Sequence, residues 1–291
     1  MKHIGLVLSG GMGKGAYQVG ALMALGKFFK PSDFEYVSAS SIGALNAYAY
    51  LTDNIEKAHE IWASINPQGN KRFITSVLKS TFLQDIIGGI VSNTAISNSF
   101  YVPLLDLSNM ELDYYNFASV DPREMNSYLQ ASVAMPFYSE GISIGRKILY
   151  DGAVVDNIPI YPVLKNKLDY VICIYFDDLS YVFEDDSLDN QIIKLIFTDD
   201  KIISNSVYIN HESILRMMDE GYRRTEQALS AIFSDGTGNL SFIYSKIAEQ
   251  NAEESRKKIR ITGDVIVTNM NKIAKRGMRN KRILEEGILR K

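Results

Sequence analysis

Residues 36–51 have the sequence YVSASSIGALNAYAYL, in which a strand-like run, Tyr36–Ser40, passes into a helix-like run of small and apolar residues, Ile42–Leu51. Ser41 stands at the junction, and Gly43 completes the pattern small-x-Ser-x-Gly. Small neighbours are needed where a chain turns sharply from a strand into a helix. Such a turn projects the serine hydroxyl toward the positive end of the helix dipole. The junction therefore predicts Ser41 as a nucleophile.

A glycine-rich loop precedes this junction and follows a first strand-like run, His3–Leu8. The loop has the sequence SGGMGKG at residues 9–15, and a helical pattern extends from Ala16 to Phe29. Glycines allow successive backbone N–H groups to turn toward one point and form an anion-binding nest, which serves as an oxyanion hole in an acyl-transfer enzyme. The predicted donors are Gly10, Gly11, Met12 and Gly13.

Two strand–turn–helix units in succession predict an α/β fold, with a mainly parallel sheet sandwiched by helices. Lys147–Tyr150 and Tyr170–Phe176 are further strand-like runs, and the second contains Cys173, the only cysteine, which we expect to be buried. We divide the chain into a catalytic core, residues 1–176, and a largely helical C-terminal region, residues 177–291. This region is expected to pack on or beside the core.

The C-terminal region begins with an acidic stretch, Asp177–Asp200, which we interpret as a solvated connection. Its spacing lacks the pattern of a calcium-binding loop, and we expect neither a metal nor a cofactor. An amphipathic helix is predicted at Ile209–Phe233. The last segment, residues 256–291, holds 12 basic and 3 acidic side chains and is either a solvated helix face or a surface for anionic membranes.

Nucleotide-binding interpretations of the glycine-rich loop fit poorly. A P-loop requires Ser or Thr directly after Gly-Lys, whereas Lys14 is followed by Gly15. A dinucleotide fingerprint requires an acidic residue at the end of the second strand, and Ser40 and Ser41 stand there instead. Acyl transfer is therefore the favoured chemistry.

A third chemical feature is Asp151-Gly152, which directly follows the strand-like run Lys147–Tyr150. Asp-Gly is common in ordinary turns. An aspartate at the end of a strand is nevertheless well placed to reach a serine across the sheet, which makes Asp151 a candidate base beside the interpretation as a turn.

In their order along the chain, these features resemble the patatin-like phospholipase family, in its bacterial type. The resemblance covers about residues 3–176. The matching stretches are LVLSGG at 6–11, SIGALNA at 41–47, ASVAMP at 131–136 and YDGAVVDNIP at 150–159. Four ordered motifs are far more specific than any one of them alone.

The resemblance implies a serine hydrolase of lipid acyl esters that works through a dyad of Ser41 and Asp151. The glycine-rich loop would bind the oxyanion. The supporting positions of the family's motifs are Lys14, Gly15, Gly43 and Gly152. Lys14 is either a source of positive potential near the nest or a solvated lysine at the start of a helix.

Three alternatives stay open. An acyltransferase or general esterase would use the same site, and a triad of Ser41, Asp151 and His211 is formally possible. The third is a catalytically inactive, membrane-associated binding module, which is favoured only by Met12, because the family usually has a glycine there.

The expected partners follow from charge and hydropathy. The net charge of −3 argues against nucleic acid, and no apolar run approaches the roughly 18 residues of a membrane span. Met1–Leu8 resembles a strand rather than a signal peptide, so we expect a cytoplasmic protein. Peripheral contact with an anionic membrane is a hypothesis for residues 256–291 and for Phe73–Val91, whose apolar residues recur at helical spacing; ordinary core packing is its alternative. The oligomeric state is left open.

Overall fold

The computed structural model describes residues 2–65, 82–92, 94–136, 138–176, 189–197 and 210–255. Its strands are β1 (Ile4–Leu8), β2 (Phe34–Ala39), β3 (Ser99–Asp106), β4 (Glu111–Asn116), β5 (Ile142–Ile144), β6 (Lys147–Asp151), β7 (Tyr170–Tyr175) and β8 (Ile192–Ile196). Its helices are α1 (Gly15–Leu25), α2 (Ile42–Leu51), α3 (Ile55–Ser64), α4 (Phe82–Ile90), α5 (Met125–Val133), α6 (Tyr161–Leu164), α7 (His211–Ile232) and α8 (Leu240–Ser255).

The strands form one sheet in the order β5-β6-β3-β2-β1-β7-β8, and β4 also pairs with β3. β3, β2, β1, β7 and β8 run parallel to their neighbours in this series. The pairs that β4, β5 and β6 make are antiparallel. The α/β fold predicted from the sequence is confirmed, with an antiparallel section at one side that the sequence analysis did not anticipate.

One feature of the sheet places the two predicted catalytic residues. β4 occupies one edge of β3, so β2 and β6 share the other edge, where they pair with residues 99–101 and 104–106 respectively. β2 is parallel to β3 and β6 is antiparallel to it, so their C-terminal ends point toward each other. Ser41 follows the end of β2 and Asp151 ends β6, so two residues that are remote in sequence meet.

Helices α1 and α2 lie in the main core between the sheet and the outer helices. Every residue of α2 is buried, which explains its lack of a polar face. α1 packs closely against α7, where Gly20 faces the backbone oxygen of Met218 and Gly221 faces that of Tyr17. A second apolar cluster on the sheet includes Cys173, which is buried as expected.

The C-terminal region contributes to the same sheet and core. β8 pairs with β7, so the sheet continues beyond residue 176. The interpretation of Asp177–Asp200 as a solvated connection is wrong for Ile192–Ile196, because β8 is largely buried and its Lys194 pairs with Asp189 in the interior. Residues 177–188 and 198–200 lie outside the described residues, as does the basic segment 256–291.

The apolar face predicted within Phe73–Val91 is a packing face wherever the structure describes it. Ile86, Ile87 and Ile90 of α4 are buried in the main core, so ordinary packing is correct for this part. Residues 73–81 lie outside the described residues. Among the helices that the structure describes, none is long and apolar enough to cross a bilayer.

The packing of α1 on α7 gives a direct test of the fold. A Cβ atom at Gly221 would lie 2.1 Å from the backbone oxygen of Tyr17, so Gly221→Ala must push the two helices apart. We expect a loss of about 3 kcal/mol in the free energy of unfolding, measured by urea denaturation. The matched control is Gly88→Ala in α4, where a Cβ meets nothing within 4 Å. This variant should gain about 0.5 kcal/mol, as alanine restricts the unfolded chain. Equal effects of the two variants would contradict the packing described here.

Candidate active site

The turn between β2 and α2 has the geometry that its sequence predicts. Ser41 adopts φ 51° and ψ −133°, a backbone conformation that non-glycine residues rarely take and that stores about 1–3 kcal/mol of strain. The Ser41 carbonyl accepts the N–H of Ala44 at 2.8 Å, which begins the helix directly at the serine. A Cβ at Gly43 would lie 2.5 Å from the backbone oxygen of Ser9, so this position requires glycine.

The glycine-rich loop lies beside this turn. Met12 has φ 50°, a left-handed conformation usual for glycine, so the loop keeps a glycine-like bend at this residue. Lys14 donates its N–H to the Gly11 carbonyl at 3.0 Å, which closes the loop. The nearest heavy atom to a Cβ at Gly15 would be Ile42 Cγ1 at 2.7 Å, so the loop and α2 are in close contact.

The N–H of Gly10 is already bonded, contrary to the expectation that it is a donor of the nest. It donates to the backbone carbonyl of Asn157 at 3.1 Å. The N–H groups of Gly11, Met12 and Gly13, in contrast, donate to no other described residue. Three of the four predicted donors thus have no hydrogen-bond partner among the described residues, whereas Gly10 attaches the loop to Asn157.

Asp151 is buried, with 2% of its surface exposed. One carboxylate oxygen, Oδ1, accepts the N–H of Ala153 at 2.9 Å, and the side chain also hydrogen-bonds with that of Ser41. Burial raises its pKa from the ordinary 3.8 to about 7, although both hydrogen bonds act in the opposite direction. This carboxyl group can therefore exchange a proton near neutral pH while it is in contact with Ser41.

Backbone contacts fix Asp151 from two sides. Its N–H donates to the Ala134 carbonyl at 2.8 Å, which attaches β6 to the segment that follows α5. Gly152 packs against β3, where a Cβ would lie 2.4 Å from the backbone oxygen of Pro103. Both motifs that the sequence singled out here, residues 131–136 and 150–159, meet at the aspartate.

A buried polar network, which the sequence analysis missed, attaches the glycine-rich loop to α1 and α2. Gln18 donates to the backbone oxygen of Ser9 at 2.7 Å. Asn46 donates to the Gly15 carbonyl and to Gln18 Oε1, both at 3.0 Å, and it accepts from Trp62. This network could have been predicted in part, because a glutamine and an asparagine within apolar helices need buried hydrogen-bond partners.

The histidine alternative is not supported by the contacts. His211 is exposed at the start of α7, and its Nδ1 lies 3.1 Å from the backbone oxygen of Ile65. The hydrogen bonds of Asp151 involve Ser41 and Ala153 instead. Within the described ranges, no cluster of three or more His, Cys, Asp or Glu side chains could hold a metal ion.

Part of the chain is similar to proteins named lysophospholipase. Lysophospholipase NTE1 from two strains of Cryptococcus neoformans is 29% identical over 189 residues, or 60% of this chain. The match spans only 11% of the length of those relatives.

Two solved structures are also similar. VipD from Legionella pneumophila has a TM-score of 0.48 and 13% identity, over 79% of this chain and 67% of that chain. The ExoU–SpcU complex from Pseudomonas aeruginosa has a TM-score of 0.37 and 17% identity, over 88% of this chain and 60% of that chain. Scores this low define no correspondence between individual residues.

The family assignment comes from the sequence model of a whole family. The model described as patatin-like phospholipase matches residues 6–164, which is more than half of the chain. The match contains the glycine-rich loop, the turn at Ser41 and the Asp151 segment. The chain belongs to the patatin-like phospholipase family.

Proposed function

We propose that this protein is a lipid acyl-ester hydrolase in which Ser41 is the nucleophile and Asp151 the base. The observation that carries the proposal is the contact between a strained serine at a helix N-terminus and a buried aspartate whose pKa is about 7. Membership of the patatin-like phospholipase family supports this activity, as do relatives named lysophospholipase. The substrate class is accordingly a phospholipid, a lysophospholipid or a related ester.

The reaction would proceed through an acyl-enzyme. Ser41 Oγ attacks the ester carbonyl carbon while Asp151 accepts its proton. The bond to the leaving alcohol then breaks, and the alkoxide takes the proton from Asp151. A water molecule attacks the acyl-enzyme in the same way, with Asp151 again accepting a proton, and the acid is released as Ser41 recovers its hydrogen.

The oxyanion would be held by the glycine-rich loop. The donors that we assign are the N–H groups of Gly11, Met12 and Gly13, because that of Gly10 is engaged. The left-handed φ of Met12 supports this assignment, since it preserves a glycine-like bend in the loop. A donor of this kind commonly contributes a factor of about 10²–10³ to the rate.

The surface near the site suits an apolar substrate. Five large hydrophobic side chains are exposed among the described residues, and four of them lie on either side of Asp151 in sequence, between residues 138 and 161: Tyr138, Ile148, Val154 and Tyr161. Tyr138 belongs to the segment bonded to β6, and Val154 follows Asp151 by a single short turn. We propose that these side chains contact the lipid surface from which the substrate is drawn.

Covalent labelling tests the nucleophile and its base. A fluorophosphonate should add one adduct to the wild-type protein, measured by intact mass, and Ser41→Ala should abolish the adduct. Asp151→Asn should slow labelling by about 10²–10⁴-fold, because asparagine accepts no proton. His211→Ala is the control and should label at the wild-type rate. A loss of labelling in His211→Ala would restore the triad, and an unlabelled wild type would overturn the proposal.

The pH dependence of labelling tests the role of Asp151. The base must be ionised, and its pKa of about 7 means that the labelling rate should rise with pH up to about 7 and then level off. Below that point the rate should fall about tenfold per pH unit, as for a single titrating group. A plateau that extends down to pH 5 would show that the base has an ordinary carboxyl pKa and is not Asp151 as described.

Exposed tyrosines test the contact with a lipid surface. Tyr138→Ser combined with Tyr161→Ser should reduce hydrolysis of phospholipid vesicles by about tenfold. The reason is that the two substitutions remove apolar surface that would otherwise be buried in the lipid. Hydrolysis of a soluble short-chain ester should be unchanged. Leu215→Ser on α7, also an exposed apolar position, is the matched control. Equal losses on both substrates would indicate damage to the site, and no loss on vesicles would refute the surface assignment.

A further inference from the structure

We propose that Tyr114 and Asp156 are positioning residues, which hold the backbone carbonyl of Asn157 where it binds the glycine-rich loop and the Ser41 turn together. This inference rests on the proposed function of Ser41 and Asp151. Neither Tyr114 nor Asp156 has a role in the reaction proposed above.

The Asn157 carbonyl is the shared acceptor between two motifs. It accepts the N–H of Gly10 at 3.1 Å and the hydroxyl of Ser40 at 2.7 Å. Ser40 directly precedes the proposed nucleophile, and Gly10 directly precedes the proposed oxyanion donors. A shift of this one carbonyl would therefore move the proposed nucleophile and the proposed oxyanion donors relative to each other.

The Asn157 side chain lies against the same loop. Its Oδ1 is 2.4 Å from the position that a Cβ atom on Gly10 would occupy, so Gly10 leaves room for a close contact. Its Nδ2 donates to the Gly10 carbonyl at 3.4 Å. Backbone and side chain of one residue thus attach to both sides of the first loop glycine.

Asp156, which directly precedes Asn157, restrains the Asn157 carbonyl through its own hydrogen bonds. It is 7% exposed, and its carboxylate accepts hydrogen bonds from the Tyr114 hydroxyl and from the N–H of Ile158. Its own N–H donates to the Gly152 carbonyl at 3.0 Å, which closes the turn that begins at Asp151. The Asp156 carboxylate thus bonds to Tyr114 on one side and to the residue after Asn157 on the other. These two bonds restrict the peptide that contains the Asn157 carbonyl.

Tyr114 gives this turn a fixed reference in the sheet. It lies on β4 and pairs in register with Pro103 of β3, the residue against which Gly152 packs. Pro103 lies between the positions on β3 that pair with β2 and with β6. The tyrosine therefore connects the Asp156 turn to the place in the sheet where Ser41 and Asp151 meet.

Removal of the tyrosine hydroxyl is the test. Tyr114→Phe should slow fluorophosphonate labelling of Ser41 by about 10–100-fold, because small displacements of reacting groups have effects of this size. The pH at which labelling levels off should also move upward, since a weakened hydrogen bond from Ser41 no longer lowers the pKa of Asp151. Tyr244→Phe is the matched control: its hydroxyl donates to the Asp169 carbonyl at 2.7 Å, and it is likewise part-buried. It should change neither readout.

A second variant tests the path through Asn157. Ser40→Ala removes the hydroxyl that donates to the Asn157 carbonyl, and we expect a similar loss. Because both substitutions would act through one peptide, the double variant should be little slower than the slower single variant. Effects that multiply, or a Tyr114→Phe protein that labels like Tyr244→Phe, would overturn the positioning role.

Amide hydrogen exchange separates this inference from the proposed activity. The N–H of Gly10 should exchange faster in Tyr114→Phe than in the wild type and in Tyr244→Phe, whether or not Ser41 reacts. Faster exchange with an unlabelled wild type would retain the positioning role and reject the hydrolase. A wild type that labels, with unchanged exchange and labelling rate in Tyr114→Phe, would retain the hydrolase and reject the positioning role.

Discussion

The end-to-end arrangement of β2 and β6 along one edge of β3 is the constraint on which the candidate site depends. A parallel strand and an antiparallel strand can share an edge only if each stops before it reaches the other. Their C-terminal residues then face one another across a short gap. Ser41 and Asp151 come together there through strand pairing, so their contact is stabilised by the backbone of the sheet as well as by side chains.

This arrangement holds two unfavourable groups in place. The positive φ of Ser41 stores strain, and burial of Asp151 raises its pKa to about 7. Between the ordinary pKa of 3.8 and about 7, the folded protein keeps a proton that the unfolded chain releases, so this group lowers stability as pH rises through that window. The buried core of α1 and α2 offsets these costs, which are concentrated where the proposed chemistry needs a reactive serine and a tunable carboxyl.

Features that depend on residues adjacent in sequence could be predicted from the sequence. The strand, turn and helix around Ser41 follow from a local pattern, and Ile42–Leu51 is the helix observed. β8 could not be recognised, because its apolar run lies beside acidic residues and is buried by pairing with β7 and by packing in the two apolar clusters. The contacts of Tyr114, Gln18 and Asn157 could not be predicted from local patterns either, since each residue bonds to a partner that is remote in sequence.

The Asp151 segment explains how a site assembled from distant strands can be precise. Reacting groups must be held to within about 0.5 Å, which the twist of a large sheet does not guarantee by itself. Here the segment that carries the proposed base continues directly to Asn157, whose carbonyl binds Gly10 and Ser40. The distance from base to loop is therefore set within one short turn, with Gly152 against β3 at its start. Sheet topology brings the motifs together, and this turn fixes their final separation.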